Sequence, residues 1–105
     1  MSTKIEIADI SYHGALCNDE DGDDISKFFV PTANFIDDAF AAGGRVLVNC
    51  VGGMSRSSTI TVSFLVQKRG MALEEALTSL RQKRDISPNN GFLLSLVKLE
   101  NSINV

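Results

Sequence analysis

Arg45-Val46-Leu47-Val48-Asn49-Cys50-Val51-Gly52-Gly53-Met54-Ser55-Arg56-Ser57-Ser58-Thr59 is the stretch on which the fold turns. Residues 45–49 form a short, β-branched apolar run with glycines on either side, a pattern that fits a buried strand better than a helix of so few residues. Cys50 to Ser55, with two adjacent glycines, reads as a loop. From Arg56 onward no breaker occurs until Gly70, and Ile60, Phe64 and Leu65 mark a helix that ends on Lys68, Arg69 and a C-terminal glycine. Its small residues Ser57, Ser58, Thr59 and Ser63 permit close packing. The expected unit is therefore strand, loop, helix.

Working outward, Phe29, Ala33, Ile36 and Phe40 recur at helical spacing up to Gly43-Gly44, with Pro31 near the start of that helix. Downstream, Leu73, Ala76, Leu77 and Leu80 predict a third amphipathic helix. Phe92, Leu96, Leu99 and Ile103 predict a fourth, with Ser87-Pro88-Asn89-Asn90 as the break between the two. Upstream, Lys4-Ile5-Glu6-Ile7 and Ile10-Ser11-Tyr12 alternate as short strands do, and the acidic run Asp19 to Asp24 around Gly22 reads as a solvated loop. The expectation is an α/β domain with a short central β-sheet flanked by about four α-helices.

Length and composition set the outer limits. At 105 residues the chain makes one small domain, 1–105, and 44% hydrophobic with 22% charged residues is ordinary globular composition. Neither an apolar run of about 18 residues nor a signal-peptide pattern is present, so no membrane association is expected and the cytoplasm or nucleus is the expected location. Two cysteines, Cys17 and Cys50, read as thiols in a reducing compartment. A formal charge of −3 argues against a broad nucleic-acid surface. Any positive site must be local.

A strand that delivers a cysteine into a glycine-containing loop, followed at once by a helix, suits a tetrahedral oxyanion. Loop N–H groups form an anion nest, the helix N-terminus adds partial positive charge, and Arg56 offers a forked cation. Val51, Gly52, Gly53, Met54, Ser55 and Arg56 are thus the expected substrate-binding residues. The same field favours a thiolate at Cys50, because such surroundings lower a cysteine pKa from about 8.5 to roughly 3.5–7.5. That thiolate can attack phosphorus in line while Arg56 and the loop amides hold the equatorial oxygens. Ser57 can donate a hydrogen bond to the thiolate as it departs. No metal or cofactor is needed for this chemistry.

Beyond spacing, residues 46–59 resemble the signature loop of the dual-specificity protein phosphatases, within the protein tyrosine phosphatase superfamily. Leu73-Glu74-Glu75-Ala76-Leu77, Arg81-Gln82-Lys83-Arg84, Ile86-Ser87-Pro88-Asn89-Asn90-Gly91-Phe92 and Leu96-Val97-Lys98-Leu99-Glu100 follow that family's downstream order, and Phe35-Ile36-Asp37 its preceding helix. The resemblance implies a phosphatase-like strand–loop–helix core. It also implies hydrolysis of phosphotyrosine and phosphoserine or phosphothreonine in proteins through a phosphocysteine on Cys50. Arg56 is then the phosphate clamp, Ser57 the loop hydroxyl, and Asp19 the general acid, with Asp21 as its nearest substitute.

Two departures from the family pattern matter. Asn49 stands where the family has histidine, and an amide cannot carry positive charge, so a weakened but not abolished nucleophile is expected. Only about nine residues precede the segment Ile10-Ser11-Tyr12, whereas family domains begin with further strands and a helix. Either Lys4-Ile5-Glu6-Ile7 substitutes for an absent strand, or the chain is a fragment or short form whose exposed strand edges are covered by another copy, with a homo-oligomer through those edges the favoured expectation. The rival reading is a phosphatase-fold module of little or no activity that binds phosphorylated proteins or another subunit. A phosphatase for phosphoinositides or RNA 5′ ends is disfavoured, because Val51, Met54 and Ser55 add no basic residue to the loop. Cys17 is read as a small residue closing a strand, with a protective disulfide to Cys50 as the alternative. His13 is read as a non-catalytic residue, and Arg81, Lys83 and Arg84 as a solvated helix face.

Overall fold

The structure of the chain is a computed structural model that describes residues 24–48, 55–83, 86 and 88–103, with the backbone of residues 6, 7, 10 and 11. Four helices stand where the apolar periodicity predicts them: α1 over Phe29–Ala41, α2 over Arg56–Lys68, α3 over Leu73–Arg81 and α4 over Asn90–Ile103. A single 3₁₀ turn, Ser26–Phe28, leads into α1.

Helix α2 is the centre. It packs against α1, α3 and α4, and eight of its residues are buried: Ser57, Ser58, Thr59, Ile60, Val62, Ser63, Phe64 and Val66. Half of these are hydroxyl residues, and burying a hydroxyl without a partner costs a few kcal/mol. For Ser58, Thr59 and Ser63 the cost is met by carbonyls of the helix and its N-cap. Ser58 Oγ and Thr59 Oγ1 donate to the Ser55 carbonyl at 3.0 and 2.6 Å, and Ser63 Oγ donates to the Ile60 carbonyl at 2.7 Å. Thus satisfied, the small side chains let neighbouring helices approach closely. Ile25, Phe29 and Ala33 from one side and Phe92 and Leu96 from the other complete the core around Ile60 and Val62. Each large side chain buried there contributes roughly 1.5–3 kcal/mol.

Both glycine signals that close predicted helices do so physically. Gly43 has φ +80°, its N–H donates to Phe40 O at 3.0 Å and the N–H of Gly44 donates to Ala39 O at 2.9 Å, a Schellman ending for α1. Gly70, with φ +65°, ends α2 in the same left-handed conformation. Beside it, Arg69 Nη1 meets Asp37 Oδ1 of α1 at 3.1 Å, and its guanidinium lies 4.8 Å from the Phe64 ring centroid and 5.7 Å from that of Phe40. At the start of α1, Gln67 Nε2 from the last turn of α2 donates to Phe29 O at 3.0 Å.

The expected central β-sheet is not found, and the α/β expectation is corrected accordingly: among the described residues the architecture is helical. The sole ladder there is a two-residue antiparallel pair, Glu6–Ile7 (β1) with Ile10–Ser11 (β2), in the register Glu6 with Ser11 and Ile7 with Ile10. Residues 45–48 belong to neither a helix nor a ladder. The physical reason is visible in their exposure. Leu47 is 85% exposed while Val46 and Val48 pack against the core, so the segment has one covered face instead of two. A β-branched run expresses strand propensity only where a neighbouring strand completes the ladder, and among the described residues none lies beside it.

Candidate active site

The sequence predicts that the helix after the loop opens at Arg56, and α2 does begin there. Ser55, 6% exposed, occupies the N-cap position. Its side chain does not cap its own helix; its carbonyl instead accepts the N–H of Thr59 at 3.0 Å in addition to the Ser58 and Thr59 hydroxyls. Three donors on one carbonyl hold the first turn shut.

Arg56 is the first residue of a 13-residue helix, half-buried, with its Nε atom buried. A cation at a helix N-terminus is opposed by the helix's own partial positive charge, so the position is favourable chiefly when an anion is present to be shared. Ser57 is buried, and its carbonyl accepts the Thr61 hydroxyl at 2.9 Å, which aligns the backbone of the opening turn. Arg56 and Ser57 are thereby brought to one helix start together with Ser55. Asp19, Cys50, Val51, Gly52, Gly53 and Met54 lie outside the described residues, as do His13, Cys17, Asn49 and Arg84. Arg81 and Lys83 are exposed, as a solvated face requires.

One contact at this helix start was not anticipated. Asn89, read in the sequence as part of a break and of the family's downstream order, donates its backbone N–H to Ser55 Oγ at 3.2 Å. Its side-chain Oδ1 accepts the N–H of Phe92 at 2.8 Å and its carbonyl the N–H of Leu93 at 2.9 Å, so it is the N-cap of α4. The signal was legible: an asparagine directly before an apolar-periodic segment is a helix start. What periodicity could not show was that two helix starts meet. Two shallow grooves elsewhere, one of about 460 Å³ bordered by Asp24, Phe29 and Lys98 and one of about 480 Å³ bordered by Glu74 and Gln82, involve none of Ser55, Arg56 or Ser57. Among the described residues no helix is long and apolar enough to cross a membrane.

The family model "Dual specificity phosphatase, catalytic domain" matches residues 2–102. The chain is 43% identical over 88 residues to dual specificity protein phosphatase 1 of Arabidopsis thaliana, covering 83% of this chain and 44% of that protein. With human dual specificity protein phosphatase 13B the identity is 39% over 95 residues, covering 90% and 48%. The crystal structure of human DUSP28 superposes with a TM-score of 0.81 at 31% identity, covering 83% of this chain and 60% of that one. The crystal structure of human tyrosine phosphatase-like serine/threonine/tyrosine-interacting protein gives 0.78 at 30%, covering 85% and 60%. The chain spans about half the length of these curated relatives. With the signature arginine opening α2 and a family model that takes in nearly every residue, the chain belongs to the dual specificity phosphatase catalytic-domain family.

Proposed function

We propose that the chain hydrolyses phosphate esters of tyrosine and of serine or threonine in proteins. In this reading the Cys50 thiolate attacks phosphorus and forms a phosphocysteine, and the ester oxygen leaves with a proton from Asp19. Water, activated by the same carboxylate, then attacks phosphorus, and the S–P bond breaks to return the thiolate. Arg56 holds the equatorial oxygens throughout, and Ser57 donates a hydrogen bond to the departing sulfur. Val51, Gly52, Gly53, Met54 and Ser55 contribute loop amides. Oxygens that gain charge are stabilised by donors already in place, which in such sites is worth several kcal/mol. Phosphorylated proteins are the partners of this reading, and the cytoplasm or nucleus its location.

The observation that carries it is the start of α2 at Arg56 itself, beside buried Ser55 and Ser57. It supports the reading because an arginine at a helix N-terminus suits an anion such as phosphate. The test is hydrolysis of an aryl phosphate by the chain beside Cys50→Ser and Asn49→His. Cys50→Ser is expected to abolish turnover, and Asn49→His to raise it by restoring a side chain able to carry positive charge. Turnover that survives Cys50→Ser would refute the mechanism.

A second reading is favoured by one observation, Asn49 in place of the family's histidine. It makes the chain a phosphatase-fold module of low or no activity that binds phosphorylated proteins or another subunit. The likeness to a human phosphatase-like protein described as serine/threonine/tyrosine-interacting supports it. A parent chain that binds phosphopeptide but releases no phosphate would decide for the module.

A further inference from the structure

Helix α3 turns one side to the core and leaves the other bare. Leu73 and Ala76 are buried and Leu77 and Leu80 pack against the core, whereas Glu74, Glu75, Thr78, Arg81 and Gln82 are exposed. At 3.6 residues per turn the exposed set shares one face, with Thr78 at its centre, Glu74 and Arg81 along one flank, and Glu75 and Gln82 along the other. A shallow groove of about 480 Å³ lies on this face, bordered by Glu74, Glu75, Thr78, Ser79 and Gln82. Its middle is occupied by short side chains, so the ridge of a second helix can come close.

Charge on this face is divided by sign, with Glu74 and Glu75 in the first turn and Arg81 in the last. A lone helix gains from that order through its macrodipole. It cannot pair the charges: Glu74 and Arg81 are separated by about 10.5 Å of helical rise, beyond the reach of the i, i+3 and i, i+4 contacts. Among the described residues neither side chain enters an ion pair. Turned end for end, the same face matches itself. A two-fold axis beside Thr78 sets Thr78 against Thr78, Glu74 against Arg81 of the second copy, and Glu75 against its Gln82, each pair on one flank and offset by about 1.5 Å along the axis. Every contact then occurs twice. Parallel copies in register would instead set glutamate against glutamate.

We propose that the exposed face of α3 joins two copies of this chain as an antiparallel helix pair, in which Glu74 of each copy meets Arg81 of the other. One short helix per copy makes a small contact, and its ion pairs lie at the surface, so the dimer is weak and sensitive to salt.

The test is sedimentation of the full chain at low salt from about 10 µM to about 1 mM, the range in which a weak contact dissociates. The parent is expected to pass from monomer to dimer across the series and to return to monomer on addition of salt. Glu74→Arg and Arg81→Glu each set like charges together, and each is expected to raise the dissociation constant about tenfold or more. Mixed in equal amounts, the two variants are expected to regain the dimer, because each offers the other the charge it lacks. A helix merely weakened by substitution could not be rescued in this way. Lys83→Glu makes the same change of charge off this face and is expected to leave association within about twofold of the parent's. Should circular dichroism show that a reversal unfolds the chain, Glu74→Gln and Arg81→Gln take its place, each expected to weaken association and to flatten its dependence on salt. A parent that stays monomeric throughout the series, a dimer that neither substitution weakens, or two variants that remain monomeric when mixed would overturn the proposal.

Discussion

Glu100 offers the clearest measurement of how this small domain is held together. The N-cap position of α3 is Ala72, which has no side-chain oxygen, so the first N–H groups of that helix lack a local acceptor. Glu100, on α4, supplies one: its Oε2 accepts the N–H of Leu73 at 2.5 Å in a partly buried contact between residues 27 apart. A hydrogen bond to an ionised acceptor contributes about 1.5–3 kcal/mol, and a carboxylate at a helix N-terminus gains about 0.3–1 kcal/mol from the macrodipole. Glu74 and Glu75 also lie in that first turn, so part of the dipole contribution is present without Glu100. Glu100→Gln keeps an acceptor of the same reach but not the charge, and is expected to cost about 0.5–1 kcal/mol. Glu100→Ala also leaves the Leu73 N–H without this acceptor and is expected to cost about 1.5–3 kcal/mol. In urea unfolding followed by circular dichroism at neutral pH, a slope of about 1–3 kcal/mol per molar makes the alanine change a midpoint shift on the order of 1 M. The glutamine change should shift it by less than half as much. An alanine variant whose midpoint matches the parent's would refute the cross-helix cap. Equal losses for alanine and glutamine would show that charge, and not the hydrogen bond, does the holding.

Arg69 joins α1 and α2 through Asp37 and two aromatic rings, but both charged side chains are 43% exposed. The ion pair is therefore expected to contribute under about 1 kcal/mol and the ring contacts a similar amount, so Arg69→Ala should cost more than Asp37→Asn in the same unfolding assay. Asp24 sits below the ordinary aspartate value of 3.8, chiefly because the Ser26 hydroxyl donates to its carboxylate, with the Ser26 N–H adding to this. A carboxylate with a depressed folded-state pKa contributes stability that is present above the unfolded value and is lost as pH falls through the folded one. A carbon-detected titration of the Asp24 carboxyl should show a midpoint under 3.8, Ser26→Ala should move it upward, and an unmoved midpoint would count against the contact.

The helices were legible because each is written in apolar spacing that tertiary packing only confirms: Phe29, Ala33 and Ile36 of α1 and Phe92 and Leu96 of α4 are all buried. Phe40 and Ile103, read from the same stripes, are 44% and 46% exposed, since each lies in the last turn of its helix, where coverage runs out. The central place of α2 was less visible. Its buried face is rich in hydroxyl groups, and only knowledge of their carbonyl partners turns serine and threonine into core residues. Residues 45–48 misled because strand propensity borrows its stability from a neighbour that no local pattern records. At the site, the start of α2 at Arg56 was legible, because no breaker follows the glycine-containing loop until Gly70. The contact of Asn89 with Ser55 was not, because it depends on how two helices separated by more than 20 residues are docked.

The hydroxyl-lined interior of α2 also limits which sequences this fold can accept. Positions 58, 59 and 63 are constrained by volume more than by polarity. Each side chain is small, buried and satisfied by its own helix, so exchange for alanine, or for valine at 59, removes a modest hydrogen bond and leaves its surroundings nearly unchanged. Leucine or phenylalanine there would push α2 away from the helices packed on it, at a cost of typically 1–3 kcal/mol for overpacking. Diversification of this helix is consequently open toward the small apolar residues and closed toward the large ones, so a more hydrophobic α2 is available to the fold only if it stays thin.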